Sequence, residues 1–168
     1  QSADIIPFAA MNADPVVMEY FPATITLEQT QLAIDIFEAN FVMLGFSFWA
    51  VEMKGSGAFI GNVGLEPYEI HGENEMTLSS HVAIGWQLAR AYWGKGLALE
   101  AAMAVRDYAK NHLKLNEIIA VMAEKNTRSL GVCERLGMVR DANKTAMDPN
   151  FPVGHPFAPQ ALYRLALG

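Results

Sequence analysis

The segment Tyr92-Trp93-Gly94-Lys95-Gly96-Leu97-Ala98 decides how this chain is interpreted. It lies between a strand-like run and a long alanine-rich run with helical periodicity. Two glycines around one lysine leave bare backbone N–H groups and a positive charge where that helix begins. Because the unpaired N–H groups and the positive dipole end of a helix favour anions, the segment predicts a site for a phosphorylated ligand.

Composition places the chain among ordinary globular proteins. It has 168 residues, of which 52% are hydrophobic and 18% charged, so we expect one domain over residues 1–168. The single cysteine, Cys133, excludes an internal disulfide and a cysteine-cluster metal site, and no metal is expected. No apolar run approaches membrane-spanning length and no signal segment leads the chain. We therefore expect a cytoplasmic protein with no membrane partner.

Charge is distributed unevenly between the two halves. Residues 1–89 contain one cation, Lys54, against eleven acidic residues, whereas residues 90–168 contain eleven cations and seven acidic residues. A basic half suits an anionic ligand and an acidic half suits a cationic one. An uneven distribution of charged surface residues without a binding role is the alternative explanation of this asymmetry. Nucleic acid is not expected as a partner, because no basic stripe alternates with exposed aromatic residues.

Strand and helix patterns alternate along the chain and predict an α+β or α/β fold. Glycine, proline and capping signals punctuate them, and residues 69–80 are expected to form a loop or a strand end. The predicted helices are 14–20, 27–44, 97–113 and 127–136, and the predicted strands are 46–53, 58–68, 81–89, 117–123, 138–141 and 160–167.

Two common phosphate-binding motifs do not fit the glycine segment. A nucleotide triphosphate loop requires Gly-Lys followed by Ser or Thr, and a dinucleotide fingerprint requires a third glycine where Leu99 stands. A tight turn that binds nothing is the remaining alternative for Gly94 and Gly96.

A third pattern fits. Residues 81–98 and the helix that follows resemble the cofactor-binding core of the GNAT acetyltransferases, in which a Gln/Arg-x-x-Gly-x-Gly/Ala loop binds acetyl-coenzyme A (acetyl-CoA). Gly96 and Ala98 occupy the fourth and sixth positions, and Trp93 replaces the first. That replacement is typical of the branch resembling the ribosomal-protein N-terminal (alanine) acetyltransferases. The segment 126–138, Asn-Thr-Arg-Ser-Leu-Gly-Val-Cys-Glu-Arg-Leu-Gly-Met, is similar to a second signature of that branch.

The resemblance implies a mixed, mostly antiparallel sheet that splays at the cofactor site and is flanked by helices, with the first family strand expected upstream of Gln1. It also implies acetyl-CoA as the co-substrate, with N–H groups of residues 94–98 on its pyrophosphate and a backbone oxyanion donor at Leu88. The expected cofactor contacts are Gln87, Leu88, Ala89, Trp93, Gly94, Lys95, Gly96, Leu97, Ala98, Asn126 and Ser129.

Candidate catalytic residues are less specific. Glu66 is expected to act as a base or an amine-binding acid, with a solvated strand-edge carboxylate as the alternative. His81 is a second candidate base, with an exposed strand-end histidine as the alternative. Ser129 matches a serine suspected of protonating the leaving thiolate, and it also suits a helix cap, as does Asn126. Cys133 replaces the tyrosine acid of many family members and is expected in the core.

The acceptor is expected to be a primary amine, either a protein N-terminus or a small cationic amine. Ala146-Met147-Asp148-Pro149 and Gln160 replace the residues usual in this branch, so the usual acceptor is not assured. A non-catalytic domain that binds or senses coenzyme A is the alternative function. A homodimer is compatible with the sequence, which does not specify the oligomeric state.

Overall fold

The computed structural model describes residues 2–69 and 80–168 of the chain. Four helices and six strands form these segments, together with short 3-10 turns at Ser2–Asp4 and Arg90–Tyr92. In chain order the elements are α1 Ile5–Asn12, α2 Leu27–Leu44, β1 Phe48–Glu52, β2 Phe59–Glu69, β3 Ser80–Leu88, α3 Leu97–Asn111, β4 Glu117–Ala123, α4 Thr127–Leu136, β5 Val139–Met147 and β6 Pro159–Ala166.

The six strands form one sheet in the order β1-β2-β3-β4-β6-β5. Neighbouring strands are antiparallel except β3 and β4, which are parallel. The β2–β3 ladder is continuous from Gly61↔Leu88 to Glu69↔Ser80. The described β3–β4 ladder contains one bridged pair, Ala83↔Ile119, so these two strands separate toward their carboxyl ends. The mixed, mostly antiparallel and splayed sheet expected from the resemblance is confirmed.

Helices α3 and α4 cover one face of this sheet and bury the main core. Ala102, Val105 and Ala109 recur at helical spacing along α3 and pack with Cys133 and Leu136 of α4. The opposite face carries α1, whose Phe8 and Met11 form a smaller cluster with neighbours that include Phe59 and Ala89. The main core packs α3 and α4 against the strands, while the smaller cluster brings the amino-terminal segment onto the other face.

Local signals explain the best-predicted helix ends. The Thr26 hydroxyl accepts a hydrogen bond from the Gln29 N–H (3.3 Å), and the Gln29 side chain accepts one from the Thr26 N–H (2.8 Å). This reciprocal pair satisfies two N–H groups at the start of α2. Gly45 and Gly137 end α2 and α4 in the left-handed region, which glycine adopts without steric cost.

Two predicted elements differ from the structure. The helix predicted for residues 14–20 is wrong: the Asp14 carboxylate accepts a hydrogen bond from the Val16 N–H (2.8 Å), but the chain then forms turns. The helix of this region is α1, which was missed because its run of apolar residues has no polar face to reveal the helical period. Strand β5 is longer than predicted because it pairs with β6 as far as Met147. Residues 70–79 of the predicted loop lie outside the described residues.

No helix in the described parts of the chain combines the length and the apolar character needed to cross a membrane.

Candidate active site

Two helix N-termini meet at one edge of the sheet. Because β3 and β4 are parallel, their carboxyl ends lie at the same edge, and each strand is followed by a helix. Residues 89–96 lead from β3 into α3, and residues 124–126 lead from β4 into α4. The topology therefore brings the glycine segment close to Asn126 and Ser129, which are far from it in sequence.

The glycine segment has the backbone shape that a bare N–H cradle requires. Gly94 and Gly96 have φ angles of 72° and 78°, a region that residues with a Cβ rarely adopt. Gly96 is the N-cap of α3 and has no side chain to bond the first N–H groups of the helix. In the described chain, no backbone N–H of residues 94–98 donates to a protein acceptor. These groups are oriented by the helix and remain available to an anion.

Lys95 adds positive charge beside this cradle. Its ammonium donates to the Ala91 carbonyl (2.9 Å) and lies 5.4 Å from the centre of the Tyr92 ring. The side chain is exposed and folds back on its own loop. It therefore contributes to the field around the loop without occupying the space over the glycines.

The hydrogen bonding of β3 determines which of its main-chain groups face the gap. The Ala89 N–H donates to the Ile60 carbonyl (2.8 Å), which joins it to β2. Bonded and non-bonded pairs alternate along an antiparallel ladder, so Gln87 also bonds to β2, whereas the N–H and C=O groups of Trp86 and Leu88 point toward β4. Of Gln87, Leu88 and Ala89, which are expected to contact the cofactor, Leu88 is thus the one whose main-chain groups face the gap between β3 and β4.

Trp93 fixes the end of this strand. Its indole N–H donates to the Leu88 carbonyl at 2.7 Å. The Arg128 guanidinium lies 4.4 Å from the centre of the Trp93 ring and pairs with the Glu19 carboxylate at 2.7 Å. Arg128 therefore connects the amino-terminal segment, the glycine segment and α4. Sequence reasoning missed Arg128, because the tertiary contacts that connect it to Trp93 and Glu19 leave no local pattern.

Asn126 and Ser129 occupy the first turn of α4. The Asn126 side-chain oxygen accepts a hydrogen bond from the Ser129 N–H at 3.1 Å, which confirms its predicted role as a helix cap. The Asn126 amide nitrogen and the Ser129 hydroxyl make no hydrogen bond within the described residues. Both groups are partly accessible and remain able to contact a ligand.

Glu66 lies on the sheet face opposite α3 and α4, paired with Ala83 of β3. Surrounding protein raises the pKa of its carboxyl above the usual range by desolvation. The side chain is nevertheless exposed, so water limits the size of this effect. Tyr68, two residues further on, also has a raised pKa, because of burial and then of the negative charges of Asp148 and Glu66. Negative charge from Glu66 and Asp148 therefore surrounds Tyr68 on this face of the sheet.

His81 lies at the other end of β3. Leu88 is seven positions further along the strand, or about 23 Å of extended chain. Its Nδ1 atom is 3.9 Å from the Glu117 carboxylate, and its Nε2 atom is buried without a hydrogen-bond partner in the described chain. Glu117 in turn accepts a hydrogen bond from Arg164 (2.9 Å). The structure places His81 in a charged cluster and does not bring it to the sheet edge where α3 and α4 begin.

Cys133 is fully buried in the core between α4 and the sheet. Burial raises the pKa of its thiol to about 12, and its sulfur lies 3.7 Å from the Met122 sulfur. The interpretation of Cys133 as a core residue agrees with this position.

A groove of about 640 Å³ runs between α1 and residues 89–91, which follow β3. It is mostly apolar, with Asp14 and Arg90 at its wall, and Ala89 is its one lining residue among the predicted site residues. Within residues 2–69 and 80–168, no three His, Cys, Asp or Glu side chains are grouped so that they could hold a metal ion.

Comparison with known proteins shows the family. The model of the acetyltransferase (GNAT) domain matches residues 1–139. An uncharacterised protein of Bacillus subtilis (strain 168), YkkB, is 33% identical over 146 residues, which cover 87% of this chain and 80% of that protein. The chain therefore belongs to the GNAT family and is an N-acetyltransferase, a class of enzyme that uses acetyl-CoA.

Solved structures agree with this assignment. A GNAT-family acetyltransferase from Bacillus anthracis is 26% identical and superposes with a TM-score of 0.78, covering 99% of this chain and 91% of that one. A Salmonella typhimurium protein described as an acetyltransferase, solved with its cofactor acetyl-CoA, is 17% identical. Its TM-score is 0.74, covering 100% of this chain and 91% of that one, and at this identity the likeness concerns the fold.

Proposed function

We propose that this protein transfers the acetyl group of acetyl-CoA to a primary amine, and that the carrier binds at the edge where β3 and β4 separate. One observation carries the proposal: the uncapped N-terminus of α3 and the outward-facing main chain of Leu88 lie at the same splayed edge. The solved Salmonella typhimurium protein of the same fold, which holds acetyl-CoA, supports a donor site of this kind.

The donor contacts follow from these groups. The N–H groups of residues 94–98 bind the pyrophosphate, where the dipole of α3 and the charge of Lys95 favour a dianion. The pantetheine arm lies in the gap and bonds to the main chain of β3, and the Asn126 amide nitrogen and Ser129 contact it from α4. The Leu88 N–H is directed at the thioester carbonyl oxygen and stabilises the negative charge that develops there.

The chemistry is direct acyl transfer in a ternary complex. The neutral amine nitrogen attacks the thioester carbonyl carbon, a C–N bond forms, and the resulting tetrahedral oxyanion collapses with cleavage of the C–S bond. The nitrogen loses one proton to a base, and the thiolate of coenzyme A leaves and takes up a proton. Holding donor and amine together supplies a large part of the rate enhancement.

Glu66 is the group best placed to accept the proton from the amine. It is five residues along β2 from Gly61, the partner of Leu88, or about 17 Å of strand, so the proton travels through water. Its raised pKa makes the carboxylate a better base than an ordinary glutamate. Ser129 is the proposed proton donor to the thiolate, since Cys133 is sealed in the core.

Two classes of acceptor fit this face of the sheet. The resemblance to the ribosomal-protein branch favours the α-amino group of a protein, which needs little help to lose its proton. The negative charge around Glu66, Tyr68 and Asp148 favours small cationic amines equally well. A homodimer stays a prediction.

Thiol release from acetyl-CoA, followed with a panel of amines, tests the activity. The donor site is tested by Gly96→Asp, which places a carboxylate against the pyrophosphate, with Gly96→Asn as the matched neutral control. Both side chains tolerate a positive φ and cap helices, so the two variants differ mainly in charge. We expect Gly96→Asp to lose coenzyme A binding in calorimetry and Gly96→Asn to retain most of it. Equal affinities would place the pyrophosphate elsewhere.

The same assay separates catalysis from sensing. Coenzyme A binding without thiol release for any amine would favour a sensory domain over an enzyme.

A further inference from the structure

Asn62 is a polar side chain that the protein itself does not satisfy. It lies in the middle of β2 and is 7% exposed. No group in the described chain forms a hydrogen bond with its side-chain amide, although its polar atoms are not sealed from solvent. A largely buried amide that no protein group bonds keeps its donors and its acceptor available to solvent or to a ligand.

Gln87 faces Asn62 across the β2–β3 ladder. The two residues are directly paired, so their side chains share one face of the sheet with Cβ atoms about 4.5–5.5 Å apart. The Gln87 amide nitrogen contacts only the Met18 sulfur, at 3.0 Å, and a thioether is a weak acceptor. The Gln87 carbonyl oxygen has no partner among the described residues. Two adjacent amides thus have unused hydrogen-bonding capacity on this face.

The amide pair lies beside the position proposed for the thioester. Gln87 immediately precedes Leu88, and its side chain is on the same face of the sheet as Glu66 rather than in the gap between β3 and β4. The next pair along this face consists of two glycines, Gly64 and Gly85, and the Phe48 ring lies over them, 3.1 Å from where a Gly85 Cβ would be. The pair after that contains Glu66, about 13 Å from Asn62 along β2.

This order places two amides at one end and a carboxylate at the other end of one face of the sheet. An ammonium ion suits the Glu66 carboxylate. The amide end needs different chemistry, because each amide offers both N–H donors and a carbonyl acceptor. A peptide group offers one of each, whereas a protonated polyamine offers donors only and would leave the Asn62 N–H groups unpaired.

We propose that Asn62 and Gln87 are specificity-determining residues that bind an amide group of the acceptor. The substrates selected are amines close to an amide, as in an amino-acid amide or at the N-terminus of a peptide. The inference rests on the proposed acetyltransferase activity and deepens it by choosing between the two acceptor classes. Sites built to hydrogen-bond a substrate group discriminate strongly against analogues that lack it.

The test compares two acceptors, alaninamide and isopropylamine, in which the amide group of the first is replaced by a methyl group in the second. For each we measure kcat/KM in the wild type and in Asn62→Leu, which has a similar shape without polar atoms. We expect the alaninamide-to-isopropylamine ratio to fall by about 10–100-fold in the variant, since one buried hydrogen bond is lost. The KM for acetyl-CoA should not change.

Two further variants keep the test decisive. Gln87→Met, at a half-buried position, should lower the same ratio if Asn62→Leu does not fold. Asn111→Leu, at the exposed end of α3, is the matched control and should leave the ratio unchanged. If Asn62→Leu and Gln87→Met both turn over with an unaltered alaninamide-to-isopropylamine ratio, the role of the two amides is overturned while the proposed acetyltransferase activity stands. Absence of thiol release with every amine overturns the inference together with the proposed function.

Discussion

Cys133 shows how burial decides what a nucleophilic residue can do. Many relatives are expected to carry a tyrosine acid at this position, yet here the side chain is fully buried against Met122. A thiol with a pKa raised to about 12 has almost no thiolate at neutral pH. The residue fills core volume and is not accessible to act as an acid.

We therefore predict that Cys133 resists thiol reagents in the native protein. At pH 7.5 iodoacetamide should label it only after unfolding, because both the thiolate and access to it are lacking. Mass spectrometry of the intact protein, with and without urea, measures this. Rapid stoichiometric labelling without urea would show that the core opens at α4.

Glu66 leads to a prediction about pH. A carboxyl with a raised pKa stays protonated to higher pH than usual, and a base works only after it loses that proton. Activity should therefore rise with pH through this pKa and again through that of the amine. At acid pH, a plot of log kcat/KM against pH should have a slope near two in the wild type and near one in Glu66→Gln.

Glu69→Gln is the control for this profile. Glu69 is exposed on the same strand, and its removal should leave the steep acid limb unchanged. A steep limb that persists in Glu66→Gln would assign the base to another residue.

At the scale of elements, the glycine segment depends on a contact between neighbouring segments. Trp93 bonds to the Leu88 carbonyl and so holds the end of β3 against the turn that precedes α3. We predict that Trp93→Phe weakens coenzyme A binding about tenfold, because a hydrogen bond of about 1 kcal/mol and the contact with Arg128 are lost. Calorimetric titration measures this affinity.

Trp49→Phe supplies the comparison. Trp49 lies on β1, away from the glycine segment, and packs between Phe41 and Tyr108. Its replacement should therefore affect the affinity for coenzyme A little. Equal losses in the two variants would indicate general destabilisation.

Elements with local signals were predictable, whereas those made by tertiary pairing were not. The Thr26–Gln29 capping box and the Gly137 stop are readable within a few residues, and both helices end where expected. Helix α1 lacks a polar face, so no periodicity marked it. The glycine segment could be recognised in the sequence because positive φ angles restrict the choice of residue to glycine at these positions. The facing of Asn62 and Gln87 depends on a register between residues far apart in sequence, which composition does not reveal.

For the whole molecule, the ligand should contribute to stability. A ligand that binds only the native state at 100 times its dissociation constant stabilises it by about 2.7 kcal/mol. For a domain of this size that corresponds to a rise of about 5–10 °C in Tm. We predict such a shift with coenzyme A for the wild type and none for Gly96→Asp in a thermal melt. An unshifted wild type would mean that the native protein has no such site.

The single bridged pair between β3 and β4 has a consequence for the protein in the cell. If the pantetheine arm supplies the missing rungs of this ladder, the sheet is completed by a compound that departs after every reaction. Each catalytic cycle then passes through a form without the pantetheine arm, in which the gap between β3 and β4 is open to proteases. The abundance of the enzyme would follow the supply of its own acyl carrier, so starvation for that carrier would shorten its lifetime.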